Sequence, residues 1–505
     1  MAKSFDVSGP RHVKLRGLER TVTMVDGVSV TIAHSMFVEG DARTLAQLLP
    51  LALMRTFNKH PRMRALQVRA DEFTAEIQEP VAISDISTMG LLRVRRFSQS
   101  SDDAKPTFDE WQQYAADQCN IGFNRYTNFP FYLTAWVDEK AEQARLMLFS
   151  DHYMSDGLSG IIVLNCILEQ VALLASDENA LRRSHEVEYP LHPSFYDMWM
   201  SKKFLSKGLM KGVISTFGKA IYRSEMKKFH PVLPIRDDQQ DFAVPPVSNP
   251  TSASFAQGDP NCMREGLAKC RNEGVTFGGA VVCATLLAFY HAAQNQPSFK
   301  PDEPFKITAG LDYNMRRRVP EPAEEDHVGA YVGFALLEWL SKSGVNMKKT
   351  KFWDLARQAK KEIDGNLDQT MQMAAVPIVL DRRFNNKMDP SFAEALNVHQ
   401  SQAADANISN LGRYPYAKEF SLSSKSESKA KLTVTSLHVY NPNPHLSPSA
   451  ILNVTSVDSF CYSMGYKCED DAAKALFTAW VAVCEHLGNI GHEDTMTEVL
   501  EQLNL

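Results

Sequence analysis

An α/β protein with mixed sheets, divided into two lobes, is the fold class this chain predicts, on three observations. Its 505 residues are long for a single hydrophobic core. Stretches that alternate apolar and polar residues are interleaved along the whole chain with stretches apolar at helical spacing, and no internal repeat orders them. Residues 236–254 collect Asp, Gln, Pro, Asn and Ser, and the pairs Pro245-Pro246 and Asn249-Pro250 cannot continue regular structure. That segment is the expected linker between an N-terminal lobe, 1–235, and a C-terminal lobe, 255–505. A second Ser/Lys-rich stretch, 421–431, is expected to be an exposed loop.

The elements follow in order. Val28, Val30, Ile32, Met36 and Val38 alternate with smaller or polar residues and predict a strand. Asp41 is placed to cap a helix reaching about Phe57, with Pro50 as a kink. Phe108 to Ile121 predicts a helix, and Phe131–Val137 with Arg145–Phe149 two strands joined by a polar turn. Leu158 to Ala175 and Ala280 to Ala293 are apolar at helical spacing, and Phe305 to Leu311 predicts a further strand.

With 44% hydrophobic and 23% charged residues the composition is that of an ordinary folded protein. A net charge of −6 argues against nucleic acid as a partner, because phosphate backbones demand a clustered excess of Lys and Arg. No run of about 18 uninterrupted apolar residues predicts a spanning helix. Met1 to Arg16 is polar and basic without an apolar core and reads as neither signal peptide nor anchor. The eight cysteines form no Cys-x-x-Cys pair, which fits reduced thiols in a cytoplasmic protein better than a disulfide framework or a zinc site.

The most informative stretch is Asp151-His152-Tyr153-Met154-Ser155-Asp156-Gly157, where the strand ending at Phe149 hands over to the helix from Leu158. Such a junction holds a side chain rigidly and leaves it reachable from a cleft. His-x-x-x-Asp-Gly in this setting resembles the condensation-domain superfamily of chloramphenicol acetyltransferase-like acyltransferases, closest in pattern to alcohol O-acyltransferases. Other landmarks are similar to that family in the same order: Lys59-His60-Pro61-Arg62-Met63-Arg64, Glu273 to Phe277 before an apolar helix, Asn314-Met315-Arg316, Val328 to Gly333, and Ser409-Asn410-Leu411-Gly412. Peptide-forming members usually carry two adjacent histidines, and here Asp151 stands in the first place. The Asp-Phe-Gly-Trp-Gly signature of the plant branch is absent.

The resemblance implies a two-lobe chloramphenicol acetyltransferase-like fold with an active-site channel between the lobes. It implies transfer of an acyl group from coenzyme A or a carrier-bound pantetheine to an alcohol hydroxyl, with the acyl thioester as co-substrate and no bound cofactor or metal. The chemistry fits one histidine. A hydroxyl is almost wholly protonated at neutral pH, and a neutral imidazole can take its proton during attack and return it to the departing sulfur. His152 is the candidate for that base, against the alternative of a buried histidine tying a loop to the core. Asp156 invites a triad-like partnership with the imidazole, whereas the resemblance implies that it pairs with an arginine of the second lobe, Arg316, with Arg317 and Arg318 one or two places away. Gly157 is expected to allow close backbone packing or a positive φ. For the oxyanion of the tetrahedral intermediate, the backbone at Gly157 and the side chains of Ser409 and Asn410 are candidates, Asn410 alternatively closing a strand end. An amine acceptor, giving an amide, and a catalytically idle binding or scaffold role remain alternatives, and an acyl carrier protein is a partner the family allows.

One segment stands apart. Between 202 and 228 there are eight basic residues, Lys202, Lys203, Lys207, Lys211, Lys219, Arg223, Lys227 and Lys228, against Glu225, while Met210, Val213, Ile214, Phe217 and Ile221 share a helical face. A basic amphipathic helix could lie peripherally on an anionic membrane, border the entrance for a phosphorylated carrier, or be a solvated helix packed on its own protein. Gly208, Gly212 and Gly218 weaken any helix there.

Overall fold

The structure, a computed structural model, describes residues 11–23, 29–97, 107–177, 180, 187–200, 204–239, 249–319, 326–368, 378, 402–423, 430–442 and 447–505. Among these, two six-stranded mixed sheets form the two lobes. The first runs in the order Glu419–Ser421, Lys431–Tyr440, Thr31–Gly40, Gln143–Asp151, Phe131–Asp138, Leu92–Arg96, antiparallel except for its last pair. The second runs Val332–Leu336, Ala309–Asn314, Gln402–Arg413, Ser447–Ser456, Phe460–Tyr466, Ser252–Gln257, with Gln402–Arg413 parallel to both neighbours. A small antiparallel sheet of Arg11–Lys14, Asp71–Ile77 and Ala65–Val68 flanks the first lobe.

Local chemistry accounts for the main helices. Asp41 caps Ala42–Lys59, its carboxylate accepting from the Thr44 amide at 2.9 Å, and Pro50 lies within that helix. Thr276 caps Phe277–Ala293, whose residues are buried nearly all round. Gly157–Ser176 is long and apolar enough to cross a bilayer, yet 72% of its most apolar stretch is buried inside the protein, so its composition reflects a core position. It packs with Ala42–Lys59 over the first sheet, and Phe277–Ala293 with Asp470–His486 over the second. The expected helix from Phe108 begins as a short 3-10 turn and continues as Trp111–Cys119, capping an aromatic cluster that includes Trp136, Phe149 and Tyr440.

Three expectations change. The strand expected at Phe305–Leu311 is Ala309–Asn314, because the buried Asp405 carboxylate captures the Thr308 amide at 2.8 Å and Phe305 bridges Val345 instead. The expected linker narrows, since Ser252–Gln257 forms the edge strand of the second sheet; residues 240–248 lie outside the described residues. The division at 235/255 is also crossed, because Glu419–Ser421 and Lys431–Tyr440 complete the first sheet. Residues 424–429 of the expected loop lie outside the described residues.

The crossing strand is seated by a glycine. Gly40 has φ of 123°, and a β-carbon there would come within 2.0 Å of the Lys431 carbonyl oxygen, which itself accepts from the Asp41 amide at 3.2 Å. Gly40→Ala is therefore expected to lower stability by at least the ~1–3 kcal/mol of a forced backbone conformation. A denaturant midpoint equal to that of the parent would show that the crossing strand tolerates the side chain.

Candidate active site

The strand Gln143–Asp151 ends on two backbone anchors: the Asp151 amide donates to Pro130 O and the His152 amide to Val30 O, each at 2.9 Å. Asp151, fully buried, accepts from Arg125 Nε and Ser29 Oγ, both at 2.9 Å. The residue before the motif histidine is thus an anchor of the turn. Ser150 and Ser155 join hydroxyls at 2.9 Å across the turn.

His152 is half-buried, and its Nδ1 lies 2.8 Å from the Ser155 carbonyl oxygen. A carbonyl only accepts, so in the neutral ring Nδ1 carries the hydrogen and Nε2 keeps its lone pair. The hydrogen bonds of Asp156 go elsewhere than that ring. Its oxygens accept from Arg316 Nη1 and Nη2, each at 3.0 Å, from the Ser159 amide at 2.7 Å and from the Tyr331 amide at 2.9 Å. Those four bonds fill the acceptor capacity of a carboxylate. Burial pushes the Asp156 carboxyl up, but Arg316 and the two amides outweigh it and hold the group below the usual carboxylate range.

Arg316 is the arginine of the Asn314-Met315-Arg316 segment that meets Asp156, while Arg317 and Arg318 are exposed. Its remaining donors reach His327 O at 3.1 Å, Ser159 Oγ at 2.9 Å and Asn314 Oδ1 at 3.4 Å, and its guanidinium lies over the Tyr331 ring. Ser159 in turn accepts from the Gly329 amide at 3.0 Å. The first helix turn after His152 is therefore stitched to the strand-end loops of the second lobe. Gly157 has an ordinary negative φ; its role is close packing, because a β-carbon would lie 2.6 Å from the Leu411 side chain.

Ser409 and Asn410 lie on Gln402–Arg413, where Ala406 and Ile408 point into the core and Asn407 and Ser409 to the opposite face. Asn410 Oδ1 accepts from the Gly412 amide at 3.1 Å, where the ladder shifts register and Gly412 takes φ of 74°. It thus closes a strand irregularity with its oxygen.

Two residues at the site escaped the sequence reading. His34, fully buried on Thr31–Gly40, donates from Nε2 to the Gly157 carbonyl at 2.7 Å, beneath Gly160, whose β-carbon would collide with the ring. Burial holds this imidazole down to about 4, so it stays neutral. Asp312, half-buried on Ala309–Asn314, accepts from Asn407 Nδ2 at 3.1 Å, hydrogen-bonds Ser409 and lies within electrostatic reach of His152. Burial raises its carboxyl to about 6 despite those partners. A signal existed: Leu311-Asp312-Tyr313-Asn314 and Ala406-Asn407-Ile408-Ser409 each alternate core and polar positions, which marks a polar face on paired strands.

Both partners of the Asp156–Arg316 pair are 1% exposed. Arg316→Ala strands a buried carboxylate and is expected to cost about 3–5 kcal/mol. Because the folded-state value of Asp156 is depressed, the pair's contribution is complete above the ordinary carboxylate value of about 3.9 and is lost as pH falls through the lower folded value. An unchanged melting temperature of Arg316→Ala at neutral pH would show that the pair does not join the lobes.

The chain resembles known proteins along its whole length. Trichothecene 15-O-acetyltransferase TRI3 from Fusarium sporotrichioides superposes with a TM-score of 0.68 at 13% identity, over 94% of this chain and 95% of that one. The first condensation domain of the CDA synthetase gives 0.62 at 12%, over 98% and 99%. The starter condensation domain of rhizomide synthetase RzmA, solved with C8-CoA and Leu-SNAC, gives 0.59 at 10%, over 96% of each chain. At these identities the likeness is one of fold, the two-lobe architecture of the chloramphenicol acetyltransferase-like superfamily. No curated protein matches in sequence. The sequence pattern of the family described as alcohol acetyltransferase matches residues 99–485, well over half of the chain, and the protein belongs to that alcohol acetyltransferase family.

Proposed function

We propose that this acyltransferase moves an acyl group from a thioester, coenzyme A or carrier-bound pantetheine, to an alcohol hydroxyl, with His152 as the general base. The observation that carries the reading is the commitment of His152 Nδ1 to the Ser155 carbonyl, which leaves Nε2 as a lone pair at the seam of the lobes. The alcohol oxygen forms a bond to the thioester carbonyl carbon as Nε2 takes the hydroxyl proton. The tetrahedral oxyanion collapses, the C–S bond breaks, and the imidazolium returns the proton to the thiolate. No side chain is acylated, and the histidine ends as it began.

The neighbours of His152 suit these steps. Asp312, as a carboxylate, favours the transient imidazolium, and the Ser409 hydroxyl beside it is the side-chain candidate for the oxyanion, its single proton turning from Asp312 to the developing charge. Asp156 is a positioning residue, since all its lone pairs are engaged away from the ring. At the end of the strand carrying Ser409 lies an open cavity of about 480 Å³ lined by Arg413, Tyr414, Tyr416 and Lys418. Arg413 at its rim suits the phosphates of a coenzyme A donor, while Lys418 is paired with Asp458, and C8-CoA in the rhizomide synthetase structure supports that donor class. Asp151, engaged with Arg125 where peptide-forming members place a histidine, favours an alcohol over an amine acceptor.

A thiol-release screen of acyl-CoA chain lengths against pooled alcohols and amines tests the reaction class; release with amines alone would replace the ester reading by amide formation. His152→Ala is expected to keep the parent melting temperature while turnover falls about 10²- to 10⁴-fold. Near-parental turnover in that variant would remove His152 from the mechanism. Asp156→Asn should lose activity in step with stability and keep the shape of the pH–rate profile. Asp312→Asn should do the reverse: the fold stays, and the acidic limb moves to lower pH because a neutral neighbour no longer favours the protonated imidazole. Identical pH–rate profiles for Asp312→Asn and the parent would place Asp312 outside the reaction.

A further inference from the structure

The helix Gly208–Lys228 presents a surface that acyl transfer does not use. Its inner side rests on the protein, with Ser215 buried and Ile214 packed against the second core. The outer side is inverted relative to a solvated helix. Leu209 is 86% exposed, Phe217 65%, Ile221 62% and Val213 39%, with Thr216, Ala220 and Ser224 exposed between them. These positions repeat at helical spacing and form one face, and none of the seven residues is charged. Phe204, 73% exposed on the short turn just before, adds a further large apolar side chain to the segment. Single exposed apolar residues are ordinary; five large ones within an 18-residue stretch form a patch that needs a partner.

Charge selects the partner. From Phe204 to Lys228 the sequence holds Lys207, Lys211, Lys219, Arg223, Lys227 and Lys228 against Glu225 alone, in a chain whose net charge is −6. A second copy of the helix would bring cations against cations. An anionic surface able to accept Phe and Leu side chains meets both features at once. We propose that this helix docks the protein peripherally on an anionic lipid bilayer, with Phe204, Leu209, Phe217 and Ile221 at the acyl boundary and the segment's excess of basic residues supplying the attraction to anionic headgroups. The helix lies in the plane of the interface and does not span it.

The test is flotation of the full chain with phosphatidylcholine vesicles, with and without phosphatidylserine, at low and high salt. Expected is flotation with the anionic vesicles, weakened by salt and much weaker on the neutral ones. Replacing Lys207, Lys219, Lys227 and Lys228 by Gln should weaken anionic binding by roughly 600-fold, each basic residue contributing roughly a factor of five. The double variant Phe217→Asp, Ile221→Asp should abolish flotation while melting temperature and thiol-release activity stay at the parent values. No flotation of the parent, or flotation unaffected by either variant, overturns the proposal. So does a parent dimer in light scattering that the Asp variant converts to monomer, since a second copy would then own the face.

Discussion

The buried pair of Asp156 and Arg316 is the constraint on which the site depends. One carboxylate caps the helix Gly157–Ser176, neutralises a guanidinium from the other lobe and accepts the Tyr331 amide. Removing two charges from water is tolerable only where every lone pair and proton finds a partner, and this pair meets that condition with Ser159, Gly329 and the His327 carbonyl completing the set. The lobes are therefore locked at the turn that carries His152, and the imidazole, held by its own bond to the Ser155 carbonyl, sits on a backbone fixed by bonds that other residues make.

A second buried pair, Arg125 with Asp151, stands at the other end of the same turn. His152 thus lies between two anchored anions, each paired with its own cation, with neutral His34 beneath the helix start. The arrangement separates holding from reacting. Asp151 and Asp156 hold the backbone, and under the proposed mechanism the reacting roles fall to the His152 ring, Asp312 and the Ser409 hydroxyl.

Much of this was legible in the sequence, for definable reasons. The motif residues and the segment bearing Arg316 are local patterns, and the Asp41 cap and the helices starting near Gly157 and Phe277 follow from capping chemistry and apolar spacing. What escaped was non-local. Alternation marks Lys431–Tyr440 as a strand but carries no information about its partner, so the crossing into the first sheet was invisible. Asp312 and Ser409 are distant in sequence and become neighbours only because their strands pair in parallel. The face that periodicity grouped on Gly208–Lys228 is divided in the structure, Ile214 turning onto the core while Val213, Phe217 and Ile221 turn outward with Leu209, and periodicity cannot say which way such residues turn.

The crossing strand also bears on how the protein is made. Thr31–Gly40 pairs with Gln143–Asp151 on one side, but its other side is filled only by Lys431–Tyr440. During synthesis at about 5–20 residues per second, that backbone edge waits on the order of 20–80 s for its partner to leave the ribosome. An open, half-apolar edge of this length invites pairing with other nascent chains, and such long-range closure is slow even for a finished polypeptide. Yield of the protein in a foreign host should therefore be governed less by the stability of the finished fold than by whatever shields that edge while the second lobe is still being translated.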